Sequence, residues 1–119
     1  MSNATKIVRQ FHTHFANHDW DKLGELLVDD LSFEGPIDKF SRAADYLEAV
    51  KRLEKVCKRV EIKNIISEGD DVCVVWDMVT EIPAIGTARI AEVFHVRGSK
   101  IDMVRVFFDA RPFAAMFGQ

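Results

Sequence analysis

Cysteine is scarce in this sequence, which has two cysteines among 119 residues. Cys57 and Cys73 are too few for a disulfide scaffold and lack the paired spacing of a zinc site. The sequence therefore excludes a small disulfide-stapled fold and predicts no metal site. Two reduced thiols are typical of a cytoplasmic protein, and the cytoplasm is the location that we expect.

Long apolar runs and an excess of basic residues are also missing. No stretch approaches the roughly 20 apolar residues of a membrane helix, and the first residues, MSNATK, lack the apolar core of a signal peptide. The formal net charge is −3 and the pI is about 5.8. Lys and Arg cluster only in KRLEKVCKR, which we interpret as the solvated face of a helix. We therefore expect no membrane and no nucleic acid as a partner.

Apolar residues, in contrast, are plentiful and regularly spaced. A composition that is 48% hydrophobic and 29% charged fits a single globular domain over residues 1–119. In the first half, apolar residues recur at helical spacing and predict helices over residues 5–18, 19–30 and 41–56. The segment LSFEGP, between the second and third helices, is interpreted as a short strand that ends at Gly35 and Pro36.

After the third helix the apolar period changes from about 3.6 to 2. Four strands are predicted over residues 59–71, 72–83, 86–96 and 100–109, with short turns between them. RPFAAMFGQ, at residues 111–119, is interpreted as a last helical turn. This order predicts an α+β domain in which three N-terminal helices pack on one face of a curved, mainly antiparallel sheet.

Two of the predicted strands, VCVVWDMV and IDMVRVFF, are apolar on both faces. A sheet that is covered on one side only should instead alternate apolar and polar residues. Something must therefore cover the second face, and a second copy of the chain is the simplest candidate. We expect a homodimer that pairs through this face.

The strand RIAEVFHV places one carboxylate in an otherwise apolar row. Ile90, Glu92, Phe94 and Val96 share a face because successive side chains alternate. Glu92 would then face either solid core or a cavity. In an apolar cavity, burial would favour its protonated form, which suits a general acid.

The order of elements, together with NHDWDKLGELLVDDLSFEGP, RIAEVFHVRGSKI and VRVFFD, resembles the SnoaL-like and ketosteroid-isomerase-like proteins of the nuclear transport factor two superfamily. The resemblance covers nearly the whole chain. It implies a cone-shaped, cystatin-like α+β fold whose concave sheet face and helices enclose an apolar pocket, commonly in a homodimer. It also implies that Glu92 looks into that pocket and that no cofactor is needed.

The family's catalytic residues are only partly present. Ketosteroid isomerases use an aspartate base with an oxyanion hole of a tyrosine and a protonated aspartate. Here the tyrosine position matches Phe11 and the base position matches Gly35, next to Glu34. The position of a further carboxylate in related epoxide hydrolases matches Val106. Glu92 alone keeps the required chemistry, as the counterpart of the protonated acid.

On the same register, the pocket walls are predicted from five segments of the chain. The expected ligand-binding residues are Phe11, Phe15, Phe33, Trp76, Met78, Ile90, Phe94, Val106 and Phe108. Plain core packing is the alternative for the residues of the central strand. For Glu92 the alternative is a structural acid that is hydrogen-bonded or ion-paired.

Other titratable residues are given structural roles. Asp77 is expected to pair with Arg89 or Arg105 on the convex face, and Glu34 is expected to point away from the pocket unless Gly35 introduces a bulge. His14 and His18 have the spacing of a metal pair, but no third ligand is evident, so an effect on the helix dipole is favoured.

Two functions remain open on these residues. The first is a cofactor-independent isomerase, polyketide cyclase-like enzyme or lyase that acts on a small, apolar, carbonyl-bearing molecule, with Glu92 as the central acid–base group. The second is a non-catalytic module that uses the same pocket to hold a ligand or a partner segment. A cavity that reaches Glu92 would favour the first, and a pocket filled by its own side chains would favour the second.

Overall fold

The computed structural model describes residues 2–114 as three α-helices and six β-strands with two short 3-10 helices. In chain order these are α1 (Asn3–Ala16), α2 (Trp20–Gly24), β1 (Leu27–Glu34), β2 (Lys39–Phe40), α3 (Ala43–Lys51), a 3-10 helix (Arg52–Lys55), β3 (Cys57–Glu68), β4 (Asp71–Thr80), β5 (Thr87–Arg97), β6 (Lys100–Phe107) and a 3-10 helix (Arg111–Phe113). The predicted α+β class, with three helices packed on a curved sheet, is confirmed.

The strands form one mixed sheet in the order β2-β1-β6-β5-β4-β3. From β3 to β6 each strand pairs with the next in antiparallel fashion, whereas β1 lies parallel to β6. Register shifts interrupt the pairing of β3 with β4, of β5 with β6 and of β1 with β6. Such bulges bend and twist strands, which accounts for the curvature of the sheet.

The second predicted helix is wrong in extent. Residues 19–30 were expected to be helical, but α2 ends at Gly24 and β1 begins at Leu27. The backbone N–H of Ile101 donates to the carbonyl of Leu26 at 2.7 Å, and Leu27 pairs with Ile101. The pairing with β6 therefore overrides the helical spacing of the leucines, because it satisfies the backbone and buries Leu27 as well.

Smaller differences affect the third helix, the segment before it and the C-terminal end of the chain. The predicted helix over 41–56 is α-helical only to Lys51 and continues as a 3-10 turn, and the two-residue β2 was not predicted. Of the expected final turn, residues 111–113 form a 3-10 helix, while residues 115–119 lie outside the described part of the chain.

The helices position the core against the concave face of the sheet. Helix α1 is capped by Ser2, whose hydroxyl accepts from the backbone N–H of Thr5 at 3.1 Å. Its buried side chains include Val8, Phe11 and Phe15. Helix α2 approaches α3 so closely that a Cβ on Gly24 would lie 3.0 Å from Leu47 Cδ1, so a larger residue there would require the Leu47 side chain to shift. These contacts leave an opening between α3 and the sheet.

Candidate functional site

A cavity of about 190 Å³ lies between α3, the β1–β2 turn and the concave face of the sheet. Most of its wall is apolar, and the polar side chains that reach its interior are Tyr46 and Glu92, both buried. Pro36, Ile37 and Arg52 are exposed residues that also line it, so the cavity reaches solvent beside them. The cavity is therefore mostly apolar, with two buried polar side chains in its wall.

Seven of the nine predicted pocket residues line the cavity. They are Phe15, Phe33, Trp76, Met78, Ile90, Val106 and Phe108. The prediction is wrong for Phe11 and Phe94, which are 1% and 0% exposed and do not line it. Their rings pack edge to face with centroids 5.0 Å apart. Helix α1 lies directly over β5 at this point, so the two side chains fill the space that the cavity would otherwise occupy.

The predicted register of the central strands is nevertheless correct. The ring of His12 contacts both Trp76 and Phe94, at centroid distances of 5.7 and 5.5 Å, so these two residues share the concave face. The burial of β5 alternates along its length, with Ile90, Glu92, Phe94 and Val96 inward. Glu92 therefore does lie on the concave face, as the alternation predicted.

Glu92 is 4% exposed and is held by two side chains from different elements. The indole N–H of Trp76, on β4, donates to Glu92 Oε1 at 2.9 Å. His12 Nε2, on α1, lies 3.3 Å from the same oxygen. Both of these contacts involve Oε1, and Glu92 lines the cavity, so among the described residues Oε2 is the carboxyl oxygen left for a molecule in the cavity.

His12 was not identified from the sequence, although the signal was present. Val8, Phe11, His12 and Phe15 follow the i, i+3, i+4, i+7 spacing of one helix face, so His12 belongs to the buried stripe. The ring is 2% exposed, and its Nδ1 lies 3.2 Å from the carbonyl oxygen of Val8. The structure thus adds a second buried titratable side chain behind Glu92.

Tyr46 is the second polar group of the cavity that the sequence did not assign to the site. It lies on the buried face of α3, where its ring packs on Phe33 at a centroid distance of 4.8 Å. Burial raises the pKa of Tyr46 well above 10.0, and the negative charge of Glu92 raises it further. Tyr46 therefore keeps its proton and can donate a hydrogen bond into the cavity.

The two other acidic candidates do not reach the cavity. Asp77 receives a hydrogen bond from Arg89 Nη2 at 3.2 Å, and the Arg89 guanidinium holds the pKa of Asp77 below its usual range. Glu34 lies 3.8 Å from Lys39 Nζ and 3.7 Å from Arg105 Nε, with its side chain 53% exposed. The expected pairing of Asp77 with Arg89 and the outward direction of Glu34 are confirmed.

The histidines near the end of α1 have separate environments. The ring of His18 stacks on Trp20 at 5.9 Å and its Nδ1 lies 4.0 Å from Glu54, while His14 is half-buried. Within residues 2–114, no three His, Cys, Asp or Glu side chains converge in a way that could hold a metal ion. None of the helices in that range is both long and apolar enough to cross a membrane.

A comparison with known protein families identifies the family of this chain. The sequence model described as the SnoaL-like domain matches residues 8–104. The chain belongs to the SnoaL-like domain family. Its fold is that of the nuclear transport factor two-like structures, as the resemblance predicted. A comparison with the sequences of curated proteins found no match.

Solved structures similar to this SnoaL-like chain share its fold at low sequence identity. An NTF2-like protein of unknown function from Cytophaga hutchinsonii has a TM-score of 0.80 and 20% identity, over 92% of this chain and 93% of that one. An LEH-like epoxide hydrolase from M. tuberculosis has a TM-score of 0.78 and 20% identity, over 98% and 97%. A de novo designed protein with a curved β-sheet has a TM-score of 0.83 and 20% identity, over 99% and 95%. Because an enzyme and a designed scaffold both match, the fold alone does not assign an activity.

Proposed function

We propose that this SnoaL-like protein binds a small, largely apolar, carbonyl-bearing molecule in the cavity and exchanges a proton with it through Glu92. The observation that carries the proposal is a buried carboxyl group on an apolar cavity wall with one oxygen, Oε2, free of protein partners among the described residues. Buried polar groups in proteins are usually fully hydrogen-bonded, so a free oxygen that faces a cavity favours a ligand-binding role.

Tyr46 supplies the complementary group. Its hydroxyl remains protonated because burial and the charge of Glu92 raise its pKa, so it can donate to a ligand carbonyl oxygen. A carbonyl polarised in this way makes the hydrogens on the neighbouring carbon more acidic, and Glu92 is the group that can take or return such a proton. Together the two residues support isomerase-, cyclase- or lyase-type chemistry without a cofactor.

The size of the cavity restricts the ligand. Typical pockets for drug-sized molecules measure roughly 300–1,000 Å³, whereas this one measures about 190 Å³. The wall offers aromatic surfaces, among them Phe15, Phe33 and Phe108, and few polar partners. We therefore propose a ligand with a single ring or a short branched chain.

Deuterium exchange of a simple ketone tests the proposal without knowledge of the natural substrate. Cyclohexanone in D₂O should exchange the hydrogens next to its carbonyl faster with the protein present, as followed by proton NMR. Glu92→Gln keeps the shape of the side chain but cannot accept the proton, so it should abolish the acceleration. The matched control is Glu34→Gln, an acid that points away from the cavity.

The outcomes separate the two functions. Acceleration that depends on Glu92 supports an enzyme. Shifts of the Trp76 indole N–H signal on adding cyclohexanone, without exchange, would support a non-catalytic binding module. This alternative is favoured by one observation, namely that Trp76 and His12 hold Glu92 as they would hold a structural acid. No binding of cyclohexanone or of similarly small ketones would refute both.

We also propose that the protein forms a homodimer through the outer face of the sheet. On this face Val75, Ala91 and Phe107 are neighbours on three adjacent strands. Cys73 and Val93 lie in the next row, which ends at Arg105 on β6. Phe107 is 59% exposed. A contiguous apolar surface of this kind is typical of an interface, and a stable dimer buries on the order of 1,200–2,000 Å² in total.

A further inference from the structure

The ring of His12 lies between two hydrogen-bond acceptors. Its Nδ1 is 3.2 Å from the carbonyl oxygen of Val8, and its Nε2 is 3.3 Å from Glu92 Oε1. A carbonyl oxygen cannot donate, so Nδ1 must carry a hydrogen to satisfy this contact. Whether Nε2 also carries a hydrogen then decides which protonation state Glu92 can adopt.

A bare Nε2 opposite an ionised Glu92 would place two lone pairs against each other. Both side chains are almost completely buried, at 2% and 4% exposed, and the atoms around Nε2 are mainly the aromatic rings of Phe11, Trp76 and Phe94. Among the described residues, no polar atom makes a well-formed hydrogen bond with Nε2, and Glu92 Oε1 approaches it only as a 3.3 Å ion-pair contact. Burying such an unpaired acceptor beside an uncompensated carboxylate is unfavourable, and a single proton between the two atoms removes both problems.

We infer that His12 and Glu92 share one proton between Nε2 and Oε1, and that His12 is a positioning residue that keeps Oε2 of Glu92 unprotonated. The proton can lie on the histidine, as an imidazolium beside a carboxylate, or on Oε1, as a carboxylic acid beside a neutral ring. In both arrangements the shared proton and the indole N–H of Trp76 are directed at Oε1. Oε2 therefore presents an acceptor to the cavity in either case.

The shared proton also restricts the class of ligand. This restriction, unlike the proton assignment, rests on the proposed function. An acceptor at Oε2 requires a hydrogen donor on the ligand, such as a hydroxyl group or a C–H bond made acidic by a carbonyl. Tyr46 is the donor available to the carbonyl oxygen. Glu92 is therefore a base toward the ligand: when Oε2 takes a proton, the shared proton stays on, or moves to, His12 Nε2. Burial in an apolar cavity had instead suggested a general acid.

Among the described residues, Glu92 is the one ionisable side chain in ion-pair contact with His12, and the other charged residues that line the cavity, Asp38 and Arg52, are exposed. On α1 and β4 the groups that pack around His12 are aromatic, and on β5 they are Phe94 and Glu92 itself. On α3, Tyr46 is titratable and interacts with Glu92, but it remains neutral. The protonation state of the pair can therefore be measured in the ligand-free protein.

The test is NMR of the ligand-free protein at neutral pH, with nitrogen-15 observed on the His12 ring and carbon-13 on the Glu92 carboxyl. Of the four histidines, the His12 signals are those that disappear in His12→Gln. A protonated Nε2 with an ionised carboxyl, or a bare Nε2 with a protonated carboxyl, is the expected result. Both sites protonated, or both unprotonated, would overturn the shared proton.

The control is His14→Gln, which changes a half-buried histidine on the same helix and should leave the Glu92 carboxyl signal unchanged. His12→Gln should shift that signal. For the ligand class, 2-hydroxycyclohexanone should bind at least about tenfold more tightly than cyclohexanone, because its hydroxyl can donate to Oε2. Equal affinities would overturn the acceptor role. If neither molecule binds, the proposed function fails while the NMR result still decides the proton assignment.

Discussion

Replacing Glu92 by leucine should lower the free energy of unfolding, even though it removes a buried titratable group. In the wild type, Glu92 Oε1 accepts from Trp76 Nε1 at 2.9 Å and lies 3.3 Å from His12 Nε2. Leucine has a similar volume but accepts no hydrogen bond. The indole N–H of Trp76 would lose its acceptor and His12 Nε2 would lose the shared proton, because the aromatic rings around them offer no replacement.

The expected magnitude follows from these two contacts. Leaving a buried donor or acceptor unsatisfied costs about 1–3 kcal/mol, so the unpaired Trp76 donor and the unpaired His12 Nε2 together cost about 2–6 kcal/mol. Burying a leucine side chain in place of the carboxyl returns about 1.5–3 kcal/mol. We therefore expect Glu92→Leu to lower the free energy of unfolding by about 2 kcal/mol, against a total of roughly 5–15 kcal/mol for a domain of this size.

Urea denaturation followed by circular dichroism measures this change, provided that the m-value stays constant between variants. Glu34→Leu makes the same substitution at an exposed ion pair and should cost less than about 1 kcal/mol. The double variant His12→Leu with Glu92→Leu should be more stable than the sum of the single effects predicts, because the second change removes a polar atom that the first had left unpaired. A Glu92→Leu variant as stable as the wild type, or full additivity with His12→Leu, would refute the assigned contacts.

Three further predictions concern other parts of the molecule. Tyr46→Phe should weaken cyclohexanone binding about tenfold with little change in the urea midpoint, as read from the Trp76 indole signal; unchanged affinity would remove Tyr46 from the site. Phe107→Glu should convert a dimer into monomers in sedimentation experiments, whereas a wild-type protein that is monomeric at micromolar concentration would exclude the interface. The hydrogen bond with Asp102 raises the pKa of His95 above 6.5, so this pair stabilises the fold below about pH 6.5, and the stabilisation is lost as the pH rises through the higher folded pKa. His95→Gln should therefore lower stability at about pH 5.5 but not at about pH 9, and an equal effect at both values would contradict this linkage.

The side of the sheet on which a residue lies could be predicted from the sequence, but its position along the cavity could not. Alternation along a strand has a fixed period of two, so Trp76, Ile90 and Glu92 were assigned to the concave face without knowledge of the fold. Phe94 follows the same rule and shares that face, yet it is covered by α1 and not by the cavity. Where a helix crosses a sheet depends on side-chain packing between distant segments, which local periodicity does not encode.

The two residues that complete the site show a related limit. His12 and Tyr46 both lie on apolar helix faces that the sequence identifies, in α1 and α3 respectively. Their relation to Glu92 depends on three-dimensional contacts between elements that are far apart in the chain. The extent of α2 was wrong for the same kind of reason, because pairing with a strand near the other end of the chain, and not helix propensity, ends that helix.

The position of β1 in the sheet has a consequence for how the chain folds. Strands β3 to β6 follow one another through short turns and pair with their sequence neighbours, so they can form early from local contacts. The parallel pairing of β1 with β6 joins Leu27 to Ile101 and requires closure of a long loop, so it should form last. Until then β6 is an edge strand that is paired with β5 on one side only, and another chain could add a strand to its open side. Substitutions that slow the docking of β1 should therefore promote aggregation during folding, even where the native protein is unaffected.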